Sequence, residues 1–325
     1  MTMTMTTTTT PLRGRRGRLI MLALGLALAA GPACKGTSKG EGATGSGSAS
    51  GSGSASASAS GSASGSASAS ASGSASGSGS AVGLGKPRVP VPVTAAAQAI
   101  VDAPDRTEAD RALDAGRHPD ELLSLLALAP GMKVAELTAG GGYTTELLAR
   151  AVGPGGRVWG QNSTFVLERF AEKPWGERLA RPVMQQVVRA DRELDDPLPA
   201  DATGLDLVLS NLVHHDFYWQ GVDRAKMHAA ILKALRPGGR YVLIDHSARA
   251  GAGATEVESL HRLEERTAQE EVVAAGFVLA GTSDFLRNPE DTLDWSTSPR
   301  TAGERRGTSD RFVLVFEKPA AAAGH

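Results

Sequence analysis

The chain of 325 residues contains one cysteine, Cys34, and only 4% of its residues are aromatic. A single cysteine excludes an intramolecular disulfide, a metal site built from several cysteines and a CxxC redox centre. An excess of charge is also missing, because 34 Lys and Arg balance 35 Asp and Glu to a net charge of -1. A chain with almost no net charge has no excess of positive charge to bind a phosphate backbone, and we expect no nucleic-acid partner.

The sequence also lacks an apolar run long enough to span a membrane. Residues 19–30 are apolar, but at about 1.5 Å per residue they cover about 18 Å of a hydrocarbon layer about 30 Å thick. Basic residues precede this run, and small residues ending in Cys34 follow it, which is the order of a signal peptide.

This amino terminus, residues 1–34, resembles a bacterial lipoprotein signal, in which the cysteine becomes the acylated first residue of the mature protein. Gly31 departs from that pattern, since such signals usually have leucine three positions before the cysteine. The resemblance implies an exported lipoprotein, anchored by lipid at Cys34 to a membrane of a bacterial envelope. The alternatives are plain secretion, twin-arginine export through Arg15 and Arg16, an uncleaved anchor, and a cytoplasmic protein with a mis-assigned start.

A linker rich in small residues follows the amino terminus. Of the 40 residues from 41 to 80, 38 are Gly, Ser or Ala, which have too little apolar surface to offset the entropy of folding. We therefore predict a disordered linker at residues 35–87. One globular domain is predicted at residues 88–325, a normal size for a single α/β domain.

Strand and helix patterns alternate through this domain. Helical patterns occur at 106–128, broken at His118-Pro119, and at 143–152, 224–235 and 255–275. Strand patterns occur at 132–137, 157–160, 183–190, 205–210, 241–245, 277–285 and 311–316. This alternation predicts an α/β fold with a Rossmann-like, doubly wound, mostly parallel seven-stranded sheet. No helix pattern separates the last two strands, so the last strand is predicted to be antiparallel.

A glycine-rich loop, Thr138 to Gly142, follows the first strand, at the place where such sheets bind ligands. It is not the dinucleotide fingerprint, because Thr145 stands where G-x-G-x-x-G needs its last glycine. It also lacks the GxxxxGK[ST] pattern of a nucleotide triphosphate loop. A smaller, nucleoside-like ligand is the remaining prediction.

The segment VAELTAGGGYTTELLA, residues 134–149, is similar to the first motif of class I S-adenosylmethionine-dependent methyltransferases, an acidic residue followed by G-x-G-x-G. Later segments agree in order, including LDLVLSNLVHH at 205–215 and LRPGGRYVLIDH at 235–246. Residues 106–319 resemble a bacterial subgroup of predicted methyltransferases of unassigned substrate. The resemblance implies S-adenosyl-L-methionine as cofactor and a small-molecule methyl acceptor.

The resemblance also implies roles for single residues. Gly140 and Gly142 make room for the methionine part of the cofactor, and Glu136 orders the loop and helps to hold the ammonium group. Asn162 stands where the family usually has an acid for the ribose hydroxyls, and Asp191 is the candidate acceptor for the adenine amino group. The predicted cofactor site comprises Glu136, Thr138, Gly140, Gly142, Asn162, Asp191 and Asn211. Thr138 and Asn162 depart from the family pattern.

Titratable residues follow the fourth and fifth strands, whose ends are expected to meet at one crevice. The predicted catalytic residues are His214, His215, Asp245 and His246. A histidine titrates near neutral pH and suits a base that takes a proton from the methyl acceptor. We expect His214 or His215 to be that base, with Asp245 orienting a histidine.

Two other functions remain open at this point. Asp245, His246, His214 and Asp216 are residue types that suit a divalent transition metal, which would make the chain a metal-dependent enzyme. Alternatively, the chain is a membrane-tethered binding or scaffold protein that kept a methyltransferase fold without catalysis.

Other residues near the predicted crevice have simpler interpretations. His261 is placed on the helix after the fifth strand, where a structural pair with Glu265 one turn later is favoured over a place at the crevice rim. Trp175, Tyr218 and Trp219 are expected to form apolar or stacking walls for a planar acceptor.

Overall fold

The computed structural model describes residues 86–320. The signal sequence, Cys34 and the predicted linker up to residue 85 lie outside these residues, so those predictions stay predictions. The strands are β1 Lys133–Leu137, β2 Arg157–Asn162, β3 Val187–Asp191, β4 Leu205–Asn211, β5 Leu235–His246, β6 Val278–Ser283 and β7 Arg311–Glu317.

These strands form one seven-stranded sheet in the order β3-β2-β1-β4-β5-β7-β6. The pairs from β3 to β5 are parallel, whereas β7 runs antiparallel between β5 and β6. The chain builds the sheet outward from β1 in one direction and from β4 in the other, so the switch point lies between β1 and β4. The predicted fold class, including the antiparallel last strand, is confirmed.

The central strands are buried on both faces, which explains their nearly continuous apolar sequences. On β4, Leu207 and Leu209 belong to one hydrophobic cluster and Val208 to the other. On β5, Val242 and Tyr241 divide between the clusters in the same way. This period of two follows from the alternation of side chains along a strand.

Helices cover both faces of the sheet. They are α1 Ala95–Val101, α2 Glu108–Arg117, α3 Pro119–Leu126, α4 Tyr143–Val152, α5 Thr164–Val166, α6 Glu172–Leu179, α7 His214–Trp219, α8 Arg224–Ala234 and α9 Glu265–Ala274, with a π turn at Leu167–Ala171 and 3-10 turns at Pro182–Met184 and Gly303–Arg305. The predicted break at His118 is confirmed, since His118 has φ 48° between α2 and α3. No helix among residues 86–320 is long and apolar enough to cross a membrane.

The helix predicted at 255–275 is wrong in its first half, because α9 begins only at Glu265. Residues 255–264 form turns that are held by buried polar contacts. Arg262, a fully buried side chain, donates to Asp291 Oδ2 at 2.9 Å and to the carbonyl oxygen of Ser247 at 2.9 Å. These distant partners decide the local conformation against helical periodicity.

Among the strands, the largest differences from the predicted bounds are at the starts of β3 and β5. Residues 183–186 precede β3, which begins at Val187. β5 begins at Leu235 rather than at Tyr241, and it carries a register shift opposite Leu205 and Leu207.

Candidate active site

The glycine-rich loop lies at the switch point, between the end of β1 and the start of α4. Thr138, Gly140 and Gly142 all have positive φ, at 51°, 57° and 82°. Such angles are easy for glycine but strained for a β-branched residue such as threonine. Gly142 begins α4, and no side chain among the described residues caps that helix end. The loop therefore leaves backbone N–H groups at an open helix terminus.

Two side chains from the end of β2 hold this loop. Gln161 Oε1 accepts from the Thr138 N–H at 2.9 Å. Asn162 Oδ1 accepts from the Gly140 N–H at 2.8 Å, and Asn162 Nδ2 donates to the Gly140 carbonyl at 3.1 Å. Asn162 is fully buried. The loop backbone contacts both polar atoms of its amide, and the expectation that this amide also binds the ribose hydroxyls stays a prediction.

Glu136 lies beneath the loop on β1. Its carboxylate accepts from Thr145 Oγ1 at 2.5 Å. Burial raises the pKa of Glu136 to about 7, against the opposing effect of hydrogen bonds from Thr145 and Thr144. The predicted role in ordering the loop region agrees with this position, and the carboxyl group lacks a cationic partner within salt-bridge distance among the described residues.

Asp191 and Asn211 both lie at the predicted strand ends. The Asp191 carboxylate is exposed and paired with Arg189 Nε, 2.8 Å from each oxygen. Asn211 Nδ2 lies 3.4 Å from Thr144 Oγ1 in the first turn of α4, which connects the end of β4 to the loop region. Their roles toward adenine and the cofactor stay predictions.

His215 forms a tight pair with Asp245. His215 Nδ1 lies 2.7 Å from Asp245 Oδ1, and the His215 backbone N–H donates to Asp245 Oδ2 at 2.6 Å. The prediction that Asp245 orients a histidine agrees with this geometry. Burial works against the charged imidazolium, but Asp245 and Asp216 outweigh it and raise the pKa of His215 to about 10. At neutral pH His215 therefore holds its proton, which conflicts with the expected role as a base.

His214 belongs to a different cluster, although it precedes His215 directly. His214 Nε2 and His228 Nε2 lie 3.2 Å and 2.9 Å from Glu271 Oε1, and the two rings stack at 5.5 Å. Both histidines are fully buried. The expectation that His214 and His215 converge on one crevice was wrong, because neighbouring positions on a helix point about 100° apart.

The ring of His246 lies 5.7 Å from that of His215 but makes its hydrogen bond outside the predicted cluster. Its ring Nδ1 lies 2.7 Å from Ser309 Oγ, and only its backbone N–H contacts Asp245, at 2.8 Å. Burial, followed by the charge of His215, lowers the pKa of His246 well below its ordinary value. The predicted metal set of Asp245, His246, His214 and Asp216 is therefore not assembled.

His261, rather than His246, contacts both His215 and Asp216 through its ring. His261 Nδ1 lies 3.3 Å from His215 Nε2 and 3.3 Å from Asp216 Oδ1. The favoured pairing with Glu265 was wrong, since Glu265 contacts Arg287 instead. The pKa of Asp216 is lowered, because hydrogen bonds from His215 and His261 outweigh the effect of burial.

The three aromatic residues that were predicted to form walls around the acceptor have different surroundings. Trp175 is fully buried against the loop, where a Cβ on Gly142 would meet its ring at 2.5 Å, so its predicted place in a crevice wall was wrong. Tyr218 donates to Glu271 Oε2 at 2.8 Å and belongs with His214. Trp219 is 37% exposed and donates to Asp216 Oδ1 at 2.9 Å, so it borders the cluster of His215.

An open cleft of about 380 Å³ lies between the segments that follow β2, β3 and β4. Its lining comprises Ser163, Phe165, Glu193, Leu194, Asp195 and residues 219–222. Phe165 and Trp219 meet edge to face at 5.8 Å, so one side of the cleft is aromatic. Beyond the position of these residues after strand ends, no sequence pattern predicts this cleft.

No protein-family model matches this chain, and no curated protein does. Among solved structures, it is similar to a SAM-dependent methyltransferase from Aquifex aeolicus, with 15% identity and a TM-score of 0.47 over 64% of this chain and 94% of that one. A geranyl diphosphate C-methyltransferase from Streptomyces coelicolor has 18% identity and a TM-score of 0.46, over 71% and 91%. The [4+2]-cyclase SpnF has 15% identity and a TM-score of 0.46, over 73% and 99%. At these identities the likeness concerns the fold alone.

Proposed function

We propose that this chain is an S-adenosyl-L-methionine-dependent methyltransferase that acts on a small molecule. The observation that carries the proposal is the loop from Thr138 to Gly142, at the switch point of the sheet and at the open amino end of α4. Helix ends of this kind bind carboxylates through their N–H groups. The carboxylate of the methionine part of the cofactor is the matching group, and the resemblance of residues 134–149 supports it.

The space beside the loop allows a ligand to approach the backbone closely. A Cβ atom added to Gly140 would meet no described atom within 4 Å, so the backbone there is accessible. Glu136 supplies a buried carboxyl group beneath the loop. The ammonium group of the cofactor would give this carboxyl the cationic partner that suits it.

The adenosine part is assigned to the cleft lined by Phe165 and Glu193. Glu193 Oε1 accepts from the Thr164 N–H at 3.1 Å, and its carboxylate is exposed. We assign to Glu193 a contact with a ribose hydroxyl, since the Asn162 amide is engaged by the loop backbone. Asp191, two residues earlier, remains the candidate partner of the adenine amino group.

We assign the methyl acceptor to the surface beside His215 and Trp219. The His215 ring lies between the carboxylates of Asp245 and Asp216, so this part of the molecule offers polar groups to the acceptor. The exposed ring of Trp219 offers a flat apolar surface beside it. Both features favour a small planar acceptor that carries an oxygen or another nucleophilic atom.

Calorimetric titration of the full-length chain with S-adenosyl-L-methionine and with its demethylated product tests the proposal. We expect micromolar binding. Gly140→Val should abolish it, because the new side chain fills the space beside the loop. Gly303→Val is the matched control, since Gly303 also has a φ near 55° and open space around it. Failure of the unaltered chain to bind either compound would refute the proposal.

A catalytically inactive, tethered binding protein is the second candidate function. The observation that favours it is the pairing of Asn162 with Gly140, at the position where the family resemblance implies an acid for the ribose hydroxyls. Cofactor binding without transfer of a labelled methyl group to any small molecule of a cell extract would favour this candidate.

For the location of the protein, we propose export and lipid anchoring at Cys34 in a bacterial envelope. The order of basic, apolar and small residues before Cys34 supports this proposal. Unchanged membrane fractionation of Cys34→Ser would contradict lipid anchoring.

A further inference from the structure

We propose that His215, Asp216 and His261 form a binding site for a divalent transition-metal ion, with zinc as the type ion. The three ligand atoms are His215 Nε2, Asp216 Oδ1 and His261 Nδ1. They are separated by 3.2 Å, 3.3 Å and 3.3 Å. A tetrahedral zinc ion with bonds of about 2.0–2.1 Å separates its ligands by about 3.3 Å. The triangle therefore has the size that the ion requires.

The chemistry of the three ligands also suits such an ion. Two imidazoles and one carboxylate are typical of zinc sites that keep a fourth position open for water or substrate. The negative charges of Asp216 and Asp245 beside His215 attract a cation, and a bound ion takes the place of the proton on His215 Nε2. Asp216 and His261 keep about a quarter of their side-chain surface exposed, so an ion can enter.

A second layer of contacts fixes the ligands before any ion binds. Asp245 Oδ1 binds His215 Nδ1 at 2.7 Å, which leaves Nε2 directed toward the triangle. Carboxylate partners of this kind are usual behind metal-bound histidines. Trp219 Nε1 donates to Asp216 Oδ1 at 2.9 Å and holds that carboxylate in place.

His261 is held by its backbone in an unusual conformation. Its φ is 53°, and its carbonyl oxygen accepts from Thr297 Oγ1 at 2.8 Å. The next residue, Arg262, is anchored in the core by Asp291. Left-handed backbone is strained in a residue other than glycine and persists only where the surroundings impose it. The fold therefore brings this imidazole to the triangle against local preference.

The second histidine cluster does not suit an ion equally well. Glu271, which faces His214 and His228, already accepts from Arg224 Nε at 2.8 Å and from Tyr218 at 2.8 Å. The Arg224 guanidinium supplies the positive charge there and would repel a metal ion. We therefore assign the ion to the triangle alone.

Titration with Co²⁺ tests this site in the full-length chain, purified without a histidine tag and stripped with a chelator. We expect one equivalent of Co²⁺ with the intense visible absorption of tetrahedral coordination, and its displacement by Zn²⁺. His261→Asn is expected to weaken binding at least about 10-fold, and Asp245→Asn by about 10- to 100-fold. Asparagine tolerates the left-handed backbone, so His261→Asn should fold.

His118→Asn is the matched control, because His118 also has left-handed backbone, at φ 48°, and lies outside the triangle. Its metal affinity should equal that of the unaltered chain. Absence of stoichiometric binding, or equal affinity in His261→Asn and His118→Asn, would overturn the site. The inference does not depend on the proposed methyltransferase activity, since Gly140→Val should bind the metal fully whether or not it binds the cofactor.

Discussion

The side chain of Asn162 and the backbone of Gly140 form a closed pair, in which the amide oxygen accepts at 2.8 Å and the amide nitrogen donates at 3.1 Å. This pair fastens the end of β2 to the glycine-rich loop. It gives Asn162 a structural reason to differ from the acid that the family resemblance implies, because a carboxylate could accept from Gly140 but could not donate to it.

Asn162→Asp should therefore lower the free energy of unfolding by about 2 kcal/mol, since the Gly140 carbonyl would face a carboxylate oxygen in a buried place. Urea denaturation measures this change, and calorimetry should find weaker cofactor binding because the loop is less well held. Asn211→Asp is the control for stability, because among residues 86–320 the Asn211 side chain makes only one hydrogen bond, and that bond is long, at 3.4 Å. Tighter cofactor binding without loss of stability would instead return Asn162 to the ribose contact.

Thr138 is strained, with φ 51° and a buried Oγ1 that lacks a partner within residues 86–320. Thr138→Gly should relieve both defects and raise the free energy of unfolding by on the order of 1 kcal/mol, after allowance for the greater freedom of glycine in the unfolded chain. Thermal and urea denaturation measure the effect. A destabilised Thr138→Gly variant would show that the threonine side chain is needed in the loop.

Glu136 predicts a pH dependence of stability. Its pKa is about 7 in the fold and 4.5 as a free side chain, because burial opposes its charged form. A raised pKa means that its contribution is full below about pH 4.5 and is lost as the pH rises through 7. Between pH 5 and pH 8 this contribution falls by about 2–3 kcal/mol.

Glu136→Gln should reduce the difference in stability between pH 5 and pH 8 by that amount in urea denaturation. Glu108→Gln is the control, because Glu108 is an exposed residue in the first turn of α2. If Glu136 holds the cofactor ammonium, cofactor binding near pH 7 should also release a proton, which calorimetry in buffers of different ionisation enthalpy detects.

Glu271 joins α7, α8 and α9 through His214, His228 and Arg224. Glu271→Gln should lower the free energy of unfolding by about 2–4 kcal/mol, because it removes the charge shared by several partly buried partners. Glu270→Gln should change it by no more than about 0.5 kcal/mol, since Glu270 meets only the exposed Arg266. Equal effects of the two substitutions would contradict a structural role for this cluster.

The sequence by itself determined the order of the elements and the place of the loop. Apolar runs bounded by glycine and proline predicted the strands, and the helix from Tyr143 to Val152 was predicted with the bounds that the structure has. The break at His118-Pro119 was equally predictable, because proline disfavours helical backbone in the residue before it. These features depend on neighbours along the chain, which a sequence displays directly.

Only the tertiary structure decided which polar side chains meet. His214 and His215 are consecutive, yet helical geometry sends one to Glu271 and the other to Asp245. His261 reaches the cluster because two distant residues hold its segment out of the predicted helix. Asp291 binds Arg262, and Thr297 binds the His261 carbonyl. Such contacts join residues that are 29 to 57 positions apart, and their energies outweigh local propensity without leaving a periodic pattern in the sequence.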